Sequence, residues 1–149
     1  MANPRVLGYL GRALSHEFSA IQQYLTHAQL VGFWGLQDVA KHFADEAAEE
    51  QGHAARLTHR MLELGAMPNA SQLTPVRAGG SLLELLEHNR AMEARAVEIY
   101  REAASYCSLI NDLTDRDLFA TLMKEEMEHA RMLDTWIANL RNSQGAATF

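Results

Sequence analysis

The sequence is poor in cysteine, has more acidic than basic residues, and has no long apolar segment. Cys107 is its single cysteine. One thiol excludes an intrachain disulfide and any metal cage built from several thiolates, and it favours a reducing compartment. No apolar run approaches the ~20 residues of a membrane span, and the N-terminus lacks the basic-then-apolar pattern of a signal peptide. We therefore expect a cytoplasmic protein with no membrane partner.

Basic charge is also scarce. Thirteen lysines and arginines stand against 19 aspartates and glutamates, so the formal net charge is -6. A protein that binds phosphate backbones usually carries a basic face, so this balance argues against a nucleic-acid partner and suits a protein that attracts cations. At 149 residues with 48% hydrophobic residues, the chain is expected to form a single domain over 1–149 with a sizeable core.

Apolar residues recur every three or four positions in four long stretches. They predict helices at about 4–33, 36–65, 81–110 and 115–142. Asn3 before Pro4, Ser81, and Thr114 or Asp115 are the expected N-caps, and Gly65 the expected C-terminal glycine. Only seven residues, 143–149, follow the predicted fourth helix, and we expect these to be too few for a fifth.

Two of the three connections are short, so helices one and two, and helices three and four, should run antiparallel. The connection at 66–80 is long. About 14 extended residues reach ~46 Å, enough to travel the ~42 Å of a 28-residue helix. A flexible linker between two domains is the alternative, but neither half could bury its apolar stripe alone. We predict an all-α, ferritin-like antiparallel four-helix bundle with one long crossover between helices two and three.

Two Glu-x-x-His motifs stand on inner helix faces: Glu50 with His53, and Glu126 with His129. Residues three apart project from the same face of a helix, so each pair can converge on one point. Helices one and three each place a further glutamate in their apolar stripe, Glu17 and Glu93. This set is typical of a carboxylate-bridged two-metal site inside a four-helix bundle.

Charge supports this interpretation, because four buried carboxylates without a counter-charge would protonate or disrupt the core. Two divalent cations would balance them. Oxygen and imidazole donors without thiolate suit iron or manganese, with zinc as a substitute. We expect Glu50 and Glu126 to bridge the metals, with Glu17 and His53 completing one site and Glu93 and His129 the other. Such a site leaves coordination positions open for dioxygen or peroxide.

Taken singly, these residues have simpler explanations. A helical glutamate is more often solvated than metal-bound, and an inward histidine is more often a hydrogen-bonded core residue. Six such residues in one pattern disfavour those explanations. Four neighbouring glutamates are expected on a solvated acidic face: Glu46, Glu49, Glu125 and Glu128. Of these, Glu46 lies one turn before Glu50 and could pass a cation into the site. Tyr24 is expected to be a core tyrosine with a satisfied hydroxyl, or else a one-electron donor.

Several segments resemble the bacterioferritin family in order and spacing: EFSAIQQY at 17–24, WGL at 34–36, EEQGHA at 49–54, PN at 68–69 and DRDL at 115–118, with Glu93 and Glu126-x-x-His129. The resemblance covers about residues 4 to 141. It implies a ferroxidase that binds two iron ions per chain and oxidises Fe(II) with O2 or H2O2. All six residues above fall on family ligand positions. The family stores ferric mineral in a shell of 24 subunits assembled from dimers.

Two features differ from the family pattern. Bacterioferritins bind haem through a methionine directly after the bridging glutamate of the second helix, where this chain has Gln51. An amide is a poor axial ligand, so we predict no bis-methionine haem site. The family also has a short fifth helix that lines the channels of the cage, and we expect none in this sequence. We expect a homo-oligomer, a dimer at least, and the sequence leaves both a dimer and a 24-subunit cage open.

Two other functions remain open at this point. One is a di-iron oxidase or peroxide scavenger in a small oligomer that stores nothing. The other is a structural or interaction bundle whose metals only neutralise the buried carboxylates. Redox activity separates the last from the enzymes, since a Glu50→Ala variant would lose iron oxidation only if the protein is an enzyme.

Overall fold

The protein forms four long helices in a computed structural model that describes residues 2–143. Helix α1 spans Pro4–Phe33, α2 Gln37–Glu63, α3 Leu82–Leu109 and α4 Leu113–Ser143. The expected bounds differ from these by at most two residues. Helix α1 packs along α2, α3 packs along α4, and α1 also contacts α3. The predicted all-α four-helix bundle is confirmed, while the expectation of no fifth helix concerns residues outside the described part.

The helix ends follow from local hydrogen bonds. The Asn3 side chain accepts from the backbone N–H groups of Arg5 and Val6 at 2.8 and 3.2 Å, and Pro4 supplies the first helical residue. Ser81 Oγ accepts from the N–H of Glu84 at 3.2 Å. Gly65 adopts φ +80° after α2, a conformation that costs a residue without Cβ little.

The expected cap of α4 was wrong. Asp112, not Thr114 or Asp115, accepts the orphan N–H of the first turn, since its Oδ1 lies 3.1 Å from the nitrogen of Asp115. Asp115 is instead buried, with 2% of its surface exposed, and pairs with the Arg60 guanidinium through contacts of 2.6 and 3.1 Å. The helix therefore begins two residues earlier than the sequence pattern suggested.

The core consists of two apolar clusters with a polar layer between them. One cluster includes Leu10, Leu57, Tyr100 and Phe119. The other surrounds Phe43, and both clusters draw side chains from all four helices. Because the two clusters close the bundle on either side, the polar residues between them are shielded from water. Among residues 2–143, no helix has the length and apolarity that crossing a membrane requires.

Three polar residues of α1, spaced four apart, hold the crossover against the bundle. Ser19 Oγ accepts from the N–H of Thr74 at 2.9 Å, and Gln23 Oε1 accepts from the N–H of Arg77 at 3.1 Å. His27 Nε2 donates to the carbonyl of Arg77 at 2.7 Å. All three α1 side chains are buried. This latch, which the sequence pattern did not suggest, ties down the segment that runs from α2 to α3.

Candidate metal centre

The structure brings all six predicted residues together in the polar layer. Each helix contributes from its inward face, and the exposed fractions are 0% for Glu17, Glu50 and Glu126, 1% for Glu93, 2% for His53 and 8% for His129. Burial this complete is rare for carboxylates unless they are paired or bind a metal. The position of the layer explains it, since apolar side chains cover the glutamates from both ends of the bundle.

One half of the centre consists of Glu17, Glu50, His53 and Glu126, whose ligand atoms all lie within 4.8 Å of one another. His53 Nδ1 lies 2.7 Å from Glu17 Oε2, 3.2 Å from Glu126 Oε1 and 3.7 Å from Glu50 Oε1. Three carboxylates and one imidazole nitrogen thus converge on a single point.

The other half consists of Glu46, Glu50, Glu93 and His129, again with ligand atoms within 4.8 Å of one another. His129 Nδ1 lies 3.2 Å from Glu50 Oε1 and 3.6 Å from Glu93 Oε2. It also lies 3.2 Å from Glu126 Oε1. Glu50 and Glu126 therefore approach both histidines, which is where two bridging carboxylates would have to stand.

Unpaired buried atoms test whether metal ions suit this centre. Eight polar atoms in it have no hydrogen-bond partner: both carboxylate oxygens of Glu50 and of Glu126, one oxygen each of Glu17, Glu46 and Glu93, and His129 Nδ1. An unsatisfied buried polar atom costs about 1–3 kcal/mol, and more when it is charged. Divalent cations would give these oxygens and the nitrogen their missing partners. Oxygen and imidazole donors fit iron, manganese or zinc.

Without metal, protons balance part of the negative charge. Burial raises the pKa of Glu17, Glu50 and Glu93, and it raises that of Glu46 to about 7. For His53, burial alone would lower the pKa, but the adjacent carboxylates of Glu126 and Glu17 outweigh it and raise the pKa to about 11. Since a histidine must be neutral to bind a metal, cations entering the centre have to displace protons.

Two outer carboxylates orient the histidines. His53 Nε2 lies 3.1 Å from Glu125 Oε1, and His129 Nε2 lies 2.5 Å from Glu49 Oε2. Two further bonds of 2.8 and 2.9 Å from Arg56 hold Glu125. An Nε2–H donated outward leaves the Nδ1 lone pair free for a cation, and such partners tune metal affinity. The two imidazole rings lie nearly parallel, 9° apart, with centroids separated by 6.0 Å.

Glu49 and Glu125 lie on the exposed face expected from the sequence, with 60% and 43% of their side chains exposed, but both also contact the metal centre. Each contacts the histidine of the opposite helix, α4 for Glu49 and α2 for Glu125. A signal was present, because both motifs read Glu-Glu-x-x-His. Helical periodicity points the first glutamate of each Glu-Glu pair away from the helix face that carries the metal ligands. Its contact with a histidine becomes visible only when α2 packs against α4. Glu128 does lie on the surface, paired with Arg131.

Glu46, by contrast, departs from the expected solvated face. Its side chain is 12% exposed, and Oε2 lies 3.5 Å from His129 Nδ1. A half-open cavity of about 420 Å³ reaches Glu46 and His129 from the surface, lined also by His42 and Trp136. On the inner side, the Tyr24 hydroxyl donates to Glu93 Oε1 at 2.7 Å, which confirms the expected satisfied core tyrosine.

Comparison with known proteins finds one matching family model and several relatives with similar sequences. The family model "Ferritin-like domain" matches residues 7–143. Bacterioferritin of Rhodobacter capsulatus is 38% identical over 134 residues, which cover 90% of this chain and 83% of that protein. Bacterioferritin of Brucella melitensis is 33% identical, covering 89% of this chain and 82% of the relative.

A solved structure of the Rhodobacter capsulatus bacterioferritin, described as having a metal-free dinuclear site and heme iron, superposes with a TM-score of 0.92. It is 36% identical in sequence, and the match covers 95% of this chain and 88% of that one.

Proposed function

Because the chain belongs to the bacterioferritin family of ferritin-like proteins, we propose that it is a ferroxidase. It binds Fe(II) as substrate at the buried centre, oxidises it to Fe(III) with O2 or H2O2, and serves iron storage and detoxification. One observation carries the proposal. Two clusters of carboxylate and imidazole donors share Glu50 in a water-shielded layer, and most of their donor atoms lack any other partner.

The distances support a ligand assignment. Glu17 and His53 hold one Fe(II), Glu93 and His129 hold the other, and Glu50 and Glu126 stand between them. Ionised carboxylates at Glu17, Glu50, Glu93 and Glu126 carry four negative charges, which balance two Fe(II) ions when both histidines are neutral. Charge balance explains why a pair of cations is favoured over one.

The site supplies binding and charge, and the redox chemistry belongs to the iron. Two Fe(II) ions give up two electrons. These reduce one O2 with two protons to one H2O2, or one H2O2 with two protons to two waters. Fixed carboxylates stabilise the higher charge of the Fe(III) product, and the apolar clusters exclude bulk water from the reaction.

Glu46 suits a role in loading the centre. Its carboxylate lies between the half-open cavity and His129, and His42 Nε2 stands 3.7 Å from Glu46 Oε1. With a pKa of about 7 in the metal-free protein, Glu46 changes charge readily near neutral pH. We assign it the role of an accessory ligand that passes Fe(II) to the half-site of His129.

We also propose a homo-oligomer, at least a dimer. Phe18, Leu25 and Leu73 line one surface groove formed by α1 and the crossover, and 39–51% of each is exposed. Apolar area of this kind is typical of a surface that pairs with another protein.

Gln51 is exposed on the surface of α2. It offers an amide where bis-methionine haem binding needs a thioether, so we propose no haem at this position.

Iron titration tests the proposed function. Metal-free protein is loaded anaerobically with successive additions of Fe(II), oxygen is admitted, and ferric absorbance is followed. Wild-type protein should oxidise iron much faster than the protein-free control. Glu50→Gln removes the carboxylate shared by both clusters and should lose the fast phase. Glu98→Gln, an exposed site on α3 paired with Arg101, is the matched control and should retain it.

The number of irons oxidised separates the related functions. Oxidation that continues far beyond two per chain, with the iron staying soluble, would demonstrate storage in a cage. A fast phase that stops at about two would favour a di-iron oxidase that stores nothing. No oxidation above the protein-free control would overturn both enzyme functions and leave a structural metal site.

A further inference from the structure

A second cavity lies outside the metal centre, between α1, α3 and the crossover. Its volume is about 320 Å³, within the range of small-molecule sites. His16 lies on one wall, where its Nε2 donates to the carbonyl of Met92 at 3.0 Å. None of the carboxylates or histidines of the metal centre lines this cavity. It is therefore a separate site with its own chemistry.

The charge of its lining is unlike that of the chain. Arg77, Arg95, His16 and His88 face the cavity, and no aspartate or glutamate does. Nine of the 13 lysine and arginine side chains lie within 4.0 Å of a carboxylate. Among the described residues, no carboxylate lies within that distance of the Arg77 or Arg95 side chain. A protein of net charge -6 thus places two of its few unpaired guanidinium groups beside one cavity.

The wall that carries Arg77 is anchored. Gln23 accepts from its backbone N–H and His27 donates to its carbonyl. Gln23 also donates to Asn89 Oδ1 at 2.9 Å, which ties the same point to α3. The backbone of Arg77 is fixed by buried partners, so only its side chain would have to be ordered when a ligand binds.

We propose that this cavity binds a small phosphate monoester. Guanidinium groups match the oxygens of phosphate with parallel hydrogen bonds, and the hydroxyl of Thr74 lies on the same lining as a further donor. Pro75, Val76, Ala91 and Met92 complete the wall with apolar surface. Because the volume equals that of about ten waters, an organic group fits beside the phosphate and packs on this apolar side.

Calorimetric titration of iron-free oligomer tests the assignment, with AMP, inorganic phosphate and adenosine as probes. AMP should bind at one site per chain, phosphate more weakly, and adenosine more weakly still. Arg77→Gln and Arg95→Gln should each weaken AMP binding about tenfold or more, since each removes a charge-assisted contact. Lys124→Gln, the same charge change at an exposed residue of α4, should leave the affinity within about twofold.

Both arginine side chains are exposed, so the variants should keep the thermal midpoint of the wild type. Absence of saturable AMP binding by the wild type would overturn the proposal. So would unchanged affinity in both arginine variants, or adenosine binding as tightly as AMP. Equal affinity for inorganic phosphate and AMP would contradict the organic half of the site. Because no iron is present, the result is independent of ferroxidase activity.

Discussion

Replacing Glu93 by glutamine should stabilise the metal-free protein while weakening its response to metal. Glu93 is 1% exposed, its Oε1 accepts from Tyr24, and its Oε2 has no hydrogen-bond partner. Glutamine retains the acceptor for Tyr24 and removes one negative charge from the crowded layer. The amide nitrogen that replaces Oε2 is a donor, and the unpartnered carboxylate oxygens of Glu50 belong to the same cluster. Because an unsatisfied buried acceptor costs about 1–3 kcal/mol, we expect the free energy of unfolding in chelator to rise by about that amount.

The pH dependence has a definite sign. Burial and then the charge of Glu50 raise the pKa of Glu93 above its ordinary value of 4.5. Above pH 4.5 the unfolded state loses this proton while the folded state keeps it, so wild-type stability falls as the pH rises toward the folded pKa. Glutamine does not titrate. The advantage of Glu93→Gln should therefore be small near pH 4.5 and grow with rising pH.

Metal reverses the ranking of the two proteins. A cation at about 100 times its dissociation constant adds about 2.7 kcal/mol per site to the folded state. Glu93→Gln lacks an anionic ligand of the His129 half-site and should lose most of that increment with Zn(II).

Urea unfolding at fixed protein concentration, in chelator and in Zn(II), measures both effects. Glu98→Gln serves again as control, and it should shift neither value by more than about 0.5 kcal/mol. A variant less stable than wild type in chelator, or one with an undiminished Zn(II) increment, would refute the reasoning.

Two further predictions concern the outer contacts. Glu125→Gln breaks the ion pair with Arg56 and weakens the hold on His53, so the affinity for Zn(II) should fall about 10- to 100-fold in competition with a chromophoric chelator. Glu128→Gln, on the nearby surface, should leave it unchanged, and equal losses in both variants would contradict the positioning role. Gln23→Ala should speed hydrogen exchange at the amide of Arg77, whereas exposed Gln22→Ala should not. Equal exchange in the two variants would show that the latch does not hold the crossover.

Much of the fold could be predicted because its determinants are local. Apolar spacing of three and four defines a buried helix face whatever lies opposite, and Asn3 and Ser81 cap helices by bonding to N–H groups within their own first turn. The length of the 66–80 connection determines that the second hairpin can lie alongside the first. The same spacing places Glu17, Glu93 and the two Glu-x-x-His motifs on inward faces.

Contacts between residues far apart in the sequence could not be predicted from helical periodicity. Asp115 pairs with Arg60 of α2. Its carboxylate therefore does not cap α4, although its position in the chain suggested that it would. Ser19, Gln23 and His27 sit on a polar stripe of α1 that resembles a solvated face until the crossover covers it. Sequence spacing reports which way a side chain points relative to its own helix, but not which other chain segment fills that direction.

The sequence by itself determined four amphipathic helices, one long crossover, and six inward carboxylate and imidazole residues, because each depends on periodicity or on chain length. Only the tertiary structure decided which carboxylate meets which histidine. Glu49 reaches His129 and Glu125 reaches His53 because α2 and α4 face each other at this level, and Arg56 holds only one of the two pairs. The physical reason is that these contacts depend on the rotation and register of packed helices, which many side chains set together.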